Sequence, residues 1–181
     1  MIGNHDYGGG ASYVQAQIQR TEIDQYWTMP ATNYSKIYEL SDNFRVGLVF
    51  VDTTTLAPSE NKCCNTKGGI SQETQYERIQ NQLTCIENMF KKMEIAKVSW
   101  LVVFGHYPIY SKGEHGDTDE LVNYLVPLFL KYKVNVYFCG HDHLRLKILS
   151  LSLSLSLLSL IIVFNSEHLI KDDIHYFVAG I

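Results

Sequence analysis

Three short segments place metal-ligating side chains directly after a glycine: Gly3-Asn4-His5-Asp6, Gly105-His106 and Gly140-His141-Asp142-His143. A neutral imidazole nitrogen binds borderline divalent metals, an amide oxygen serves harder ones, and glycine lets the backbone turn sharply with no Cβ to clash. Any one of these segments alone reads as an ordinary polar turn. Together, in this order, they make a donor set for a cation.

The surrounding pattern says how such residues could meet. Two of the glycines close runs of β-forming apolar residues, 100–104 and 134–139, and a helical stretch over 118–132 lies between them. Strand, helix, strand implies a parallel pair with a right-handed crossover, so both histidine loops leave the carboxyl edge of one sheet. Residues 11–20 form a short helix after a triple-glycine turn, and 44–52 read as a buried strand ending in polar Thr53 to Thr55. Residues 57–70 form a loop without periodicity, longer than a compact domain ordinarily carries and placed to overhang the site. Beyond it, Ser71 serves as an N-cap, and Tyr76, Ile79, Leu83, Ile86, Phe90 and Met93 recur at helical spacing as a core stripe.

A chain of 181 residues with 46% hydrophobic and 19% charged residues is long enough for one domain with a sizeable core. The formal charge of -4 and the scattered Lys and Arg offer no basic face, which excludes nucleic acid as the expected partner. Cys63, Cys64, Cys85 and Cys139 match neither a disulfide framework nor a structural zinc site, and Cys139 in its apolar strand reads as a buried free thiol. Met1-Ile2 run straight into the first motif, with room for neither a signal peptide nor a preceding strand, and the N-terminus is read as truncated.

Residues 148–164 carry no charge, and Leu and Ser alternate through 149–156. Repeated Leu-Ser can be encoded by a CT dinucleotide repeat, as in the pyrimidine tract before a splice acceptor, and retained non-coding sequence is the preferred reading. A genuine strand or loop insertion comes second. A membrane-interacting segment comes last, because the run is short against the ~20 apolar residues a bilayer core needs. The organisation expected is a domain over 1–147, this insertion over 148–164, and a C-terminal strand of the same domain over 165–181.

The set Gly105-His106-Tyr107-Pro108-Ile109-Tyr110-Ser111, Glu114-His115-Gly116 and Gly140-His141-Asp142-His143 resembles the tartrate-resistant type of purple acid phosphatase, within the metallophosphoesterase superfamily. Val51-Asp52-Thr53-Thr54-Thr55-Leu56 and the closing 174–180 segment share the likeness. The resemblance implies an α/β fold, the four-layer α/β/β/α metallophosphoesterase sandwich, here incomplete with its N-terminal strands missing. It implies hydrolysis of small phosphate monoesters by a metal-bound hydroxide in a binuclear centre of Fe(III) with Fe(II), Zn or Mn. Asn4, His106 and His141 would bind the second metal and His143 the first, while His5 and His115 would act as substrate-binding acids and Asp6 would orient His5 or its loop. A secreted or lysosomal/vacuolar location goes with that family.

Two departures qualify the likeness. The family's upstream Asp, and the Asp and Tyr of a Gly-Asp-x-x-Tyr segment, have no counterpart here, so the chain by itself is expected to lack the binuclear centre and to be inactive. Removing about residues 144–165 would restore the family's spacing before the last strand. A competing expectation is a non-catalytic relative that keeps the sandwich as a binding or membrane-anchoring module. The missing acidic ligands favour it, whereas retention of every ligand motif from Asn4 onward argues against it, since a scaffold has no chemical need of them.

Overall fold

The computed structural model describes residues 1–60, 72–142 and 166–179. Six strands form one sheet in the order β1-β2-β3-β4-β6-β5. They are β1 (Tyr34–Ser41), β2 (Phe44–Phe50), β3 (Trp100–Phe104), β4 (Val136–Cys139), β5 (Ser166–Lys171) and β6 (Ile174–Ala179). The helices are α1 (Ala11–Ile23), the single turn α2 (Thr53–Leu56), α3 (Gln72–Ile95) and α4 (Asp119–Lys131). The parallel pairing expected of β3 and β4 is present, with β2 and β6 parallel on either side and antiparallel hairpins at both edges. The α/β class holds, and the described residues form one sheet of it.

One face of the sheet is closed. Val49, Leu101, Val103, Tyr137 and Tyr176 point into a single core with Ile79, Ile86, Phe90 and Met93 of α3 and Leu121, Leu125 and Phe129 of α4. Phe90 meets Phe129 edge-on at 6.0 Å, and each such ring taken from water contributes about 1.5–3 kcal/mol. The helical stripe is therefore core, with one correction: Tyr76 is exposed, because the first turns of α3 run beyond the sheet face that Ile79 begins to cover. Leu83 is half-buried against the same core.

The other face carries an unbroken row of stacked rings, one per strand. Tyr34 stacks on Phe50, Phe50 on Phe104, Phe104 on Phe138, Phe138 on Phe177 and Phe177 on His168. Strand register produces the row, since each pair is directly opposed in the ladder. The rings are only partly covered, and a second sheet packed face to face would cover a surface of this kind, as the four-layer arrangement requires.

Elsewhere the sequence reading needs adjustment. The first helix continues three residues past 20, to Ile23. Thr53 to Thr55, read as a polar strand end, form a buried helical turn capped by Asp52, whose side chain accepts from the Thr54 N–H. Strand β1 carries no clear apolar alternation over Tyr34–Ser41, because an edge strand buries little. Strand β5 reaches β6 through Asp172-Asp173, both left-handed at φ 52° and 61°, the geometry a two-residue hairpin demands. Cys139 is the buried free thiol expected, and burial raises its pKa. Cys63, Cys64, Ser71, His143, most of the 57–70 loop and the 148–164 run lie outside the described residues. Among the described residues no helix is long and apolar enough to cross a membrane.

Candidate metal centre

The β3–β4 ladder continues into the two histidine loops. The Gly105 N–H donates to Phe138 O at 2.9 Å and the Gly140 N–H to His106 O at 3.0 Å, so the loops leave the sheet edge bonded to each other. Gly105 is required there, since a Cβ would overlap the Tyr137 hydroxyl and lie 2.7 Å from Thr53 Cγ2. His141 follows Gly140 with φ 68°, a left-handed conformation that costs a residue with a side chain about 1–2 kcal/mol. Strain of this kind, held by its surroundings, is characteristic of functional positions.

The third contributor comes from the far end of the chain. Asn4 begins a single 3-10 turn, Asn4–Tyr7, in which the Gly3 N–H donates to Asp6 Oδ2 at 2.8 Å and Gln17 Nε2 donates to Asp6 Oδ1 at 2.5 Å. Asp6 thus fixes the loop, one of the two roles expected of it. Gly3 lies flat on the His106 ring, where a Cβ would come within 2.7 Å of Nδ1.

Asp52 and Thr53 join these pieces. The Tyr7 hydroxyl donates to Asp52 Oδ2, Thr55 Oγ1 donates to the same oxygen at 2.7 Å, and Asp52 itself is buried. Burial pushes the Asp52 carboxyl above its ordinary range, with the hydrogen bonds it accepts opposing that shift. Thr53 Oγ1 accepts from the backbone N–H of His106 at 3.0 Å and of Tyr107 at 2.9 Å. One short segment therefore holds the Asn4 turn with its first residue and the His106 loop with its second. Sequence reasoning gave Asp52 and Thr53 no site role, although an Asp followed by three threonines directly after an apolar strand is an N-cap signature.

The result is convergence. His106 Nε2 lies 2.8 Å from Asn4 Oδ1 and 3.1 Å from His141 Nδ1. Ligand atoms about 2.1 Å from one ion at octahedral or tetrahedral angles stand about 3.0–3.4 Å apart, so this spacing fits a shared cation. A carboxamide oxygen and two imidazole nitrogens bind a cation in their uncharged forms. Burial is the main cause that brings the His106 pKa down to about 4, with the Asp6 charge opposing and the His5 charge assisting. His106 therefore keeps its lone pair well into the acid range.

A pH dependence follows. In the unfolded chain His106 takes a proton below its ordinary 6.5, whereas in the folded protein it resists protonation down to about 4. The unfolded state binds the extra proton between these values, so His106 subtracts stability from the metal-free protein as the pH falls through that window. Urea unfolding across pH 7 to 4 should show a smaller acid loss for His106→Gln than for the wild type; parallel profiles would refute this.

His115 joins the site from the 111–116 loop. Its ring stands 4.6 Å, centroid to centroid, from that of His141. The fully buried Asp142 holds this loop, accepting from Ser111 Oγ at 2.5 Å and from the His115 N–H at 3.4 Å, while Glu167 of β5 accepts from the Lys112 N–H at 2.8 Å. A Cβ on Gly113 would overlap the Asp142 carboxylate. His5 is exposed beside the cluster, close enough for its charge to act on His106. The described start of the 57–70 loop also arrives here, through Glu60, which the sequence did not single out. An oxygen of Glu60 and ring nitrogens of His115 and His141 all lie within 4.8 Å of one another.

Comparisons with known proteins place the chain in a family. The calcineurin-like phosphoesterase family model matches residues 1–145. Tartrate-resistant acid phosphatase type 5 of Sus scrofa is 36% identical over 148 residues, covering 79% of this chain and 40% of that protein. The protein of the same name from Homo sapiens is 34% identical over 145 residues, covering 79% and 42%. Purple acid phosphatase 17 of Arabidopsis thaliana is 31% identical over 147 residues, covering 79% and 40%. The chain thus spans about two fifths of the length of these relatives. Among solved structures, GAP50, the anchor in the inner membrane complex of Plasmodium, superposes with a TM-score of 0.63 at 20% identity, covering 95% of this chain and 45% of that one. At that identity the likeness is one of fold.

Proposed function

The chain belongs to the calcineurin-like phosphoesterase family, and on that premise we propose that it supplies the divalent-metal side of an acid phosphatase acting on small phosphate monoesters. The observation that supports this most is the meeting of Asn4 Oδ1, His106 Nε2 and His141 Nδ1 within 3.1 Å of the central nitrogen. One amide oxygen and two neutral imidazoles suit Fe(II), Zn or Mn and not a hard ferric ion, so these residues hold the divalent member of a pair with Fe(III). His143 is assigned to the other metal. Such a pair supplies a nucleophile below neutral pH and offsets the charge that builds on a transferring phosphoryl group.

The chain's own residues account for the remaining work. His5, exposed within the Asn4–Tyr7 turn, and His115, whose ring stands beside that of His141, are assigned to donate hydrogen bonds to phosphate oxygens and a proton to the leaving alcohol. The ferric side requires anionic oxygen ligands beyond Asn4, His106 and His141, so residues 1–181 alone are expected to bind a divalent ion without hydrolysing substrate. The full-length protein is assigned to a secretory or lysosomal/vacuolar compartment.

The test is hydrolysis of p-nitrophenyl phosphate by the full-length protein between pH 4 and 7, before and after chelation. Activity lost on chelation and restored by Zn(II) or Mn(II) is the expected result. A full-length protein that holds its metals and hydrolyses nothing would instead support the binding or anchoring module.

A further inference from the structure

We propose that Glu60 is an additional ligand of the divalent ion, adding a carboxylate from the loop after α2 to the neutral set of Asn4, His106 and His141; this rests on the metal-binding reading of those three. The geometry comes first. The oxygen of Glu60 and the ring nitrogens of His115 and His141 lie within 4.8 Å of one another, and His141 belongs to both groups. That spacing is wider than the 3.1 Å between His106 and His141, with Glu60 half-buried and His115 exposed.

The loop is anchored so that Glu60 stays near. Leu56 and Ala57 are fully buried, the Glu60 N–H donates to Ala57 O at 3.2 Å, and Ser59 bonds Glu120 of α4. Only two residues separate the buried anchor from Glu60. Charge gives the reason for a carboxylate there. Three neutral donors leave both charges of a divalent cation uncompensated, and an added anionic oxygen raises affinity. None of the ion pairs among the described residues engages Glu60.

Calorimetric titration of Zn(II) alone into the metal-free full-length protein provides the test, with Co(II) absorption as a second readout of the ligand set. Glu60→Gln should weaken Zn(II) binding about 10-fold and shift the Co(II) bands, while the melting temperature of the metal-free protein stays unchanged. Glu60→Asp, which keeps the charge on a shorter arm, should recover part of the affinity. If Glu60→Gln binds within twofold of wild type with an unchanged Co(II) spectrum while His106→Ala has lost binding, Glu60 is not a ligand and the three-residue site stands. If His106→Ala also binds normally, the metal-binding reading fails with it.

Discussion

His106→Ala is expected to weaken divalent-metal binding by at least about 100-fold, the upper end of what loss of a supporting outer residue costs at a metal site. The side chain occupies the middle of the donor set, 2.8 Å from Asn4 Oδ1 and 3.1 Å from His141 Nδ1. Its removal takes the central donor from between Asn4 and His141, which stand on different loops, and leaves the ion without its closest-spaced ligand. Stability should change less than binding, because the Thr53 contact that orders this loop is made to the backbone N–H of His106 and survives the substitution. Titration of Zn(II) into wild type and variant, with metal content measured after dialysis, checks the claim. A variant that retains stoichiometric zinc through dialysis would overturn the assignment of this nitrogen as a ligand.

Asp52→Ala is expected to cost about 3 kcal/mol of stability and to lower metal affinity about 10-fold, although Asp52 is no part of the donor set. Its carboxylate accepts from the Tyr7 hydroxyl, from Thr55 Oγ1 and from the Thr54 N–H, with 1% of the residue exposed. Truncation strands these donors away from water and removes the cap of α2. It also removes one of the bonds that hold Tyr7, which belongs to the turn that presents Asn4. In a domain of this size the stability loss corresponds to a fall in melting temperature of roughly 6–12 °C. Asp52→Asn, which keeps the shape and one acceptor oxygen, should lose less of both. Thermal melts of metal-free protein and Zn(II) titration of folded protein separate the two effects; unchanged affinity in a destabilised but folded Asp52→Ala would confine the residue to a structural role.

The elements legible from the chain were those whose burial imposes a period. Strands β3 and β4 are continuous apolar runs because one face meets the helices and the other carries the half-covered row of rings, and α3 and α4 show their core-facing stripe. The elements missed obey no such constraint. Edge strands β1 and β5 bury little, and the single turn α2 is too short for any period to register. Tyr76 shows the converse error, in which a helical period continues past the end of the surface that would bury it.

The donor residues themselves, and the emergence of His106 and His141 on one sheet edge, follow from residue type and the strand-helix-strand order, because parallel pairing leaves one geometry for the loops that follow. Which other groups join them does not follow from order along the chain. Asn4 reaches His106 across 102 positions, and it does so because a buried carboxylate in the Asp52-Thr53 segment ties its turn down. Glu60 and His115 come near His141 through the buried anchors of their own loops. Distances between remote side chains are set by packing and by the hydrogen bonds that buried polar groups must satisfy, and these exist only once the chain is folded.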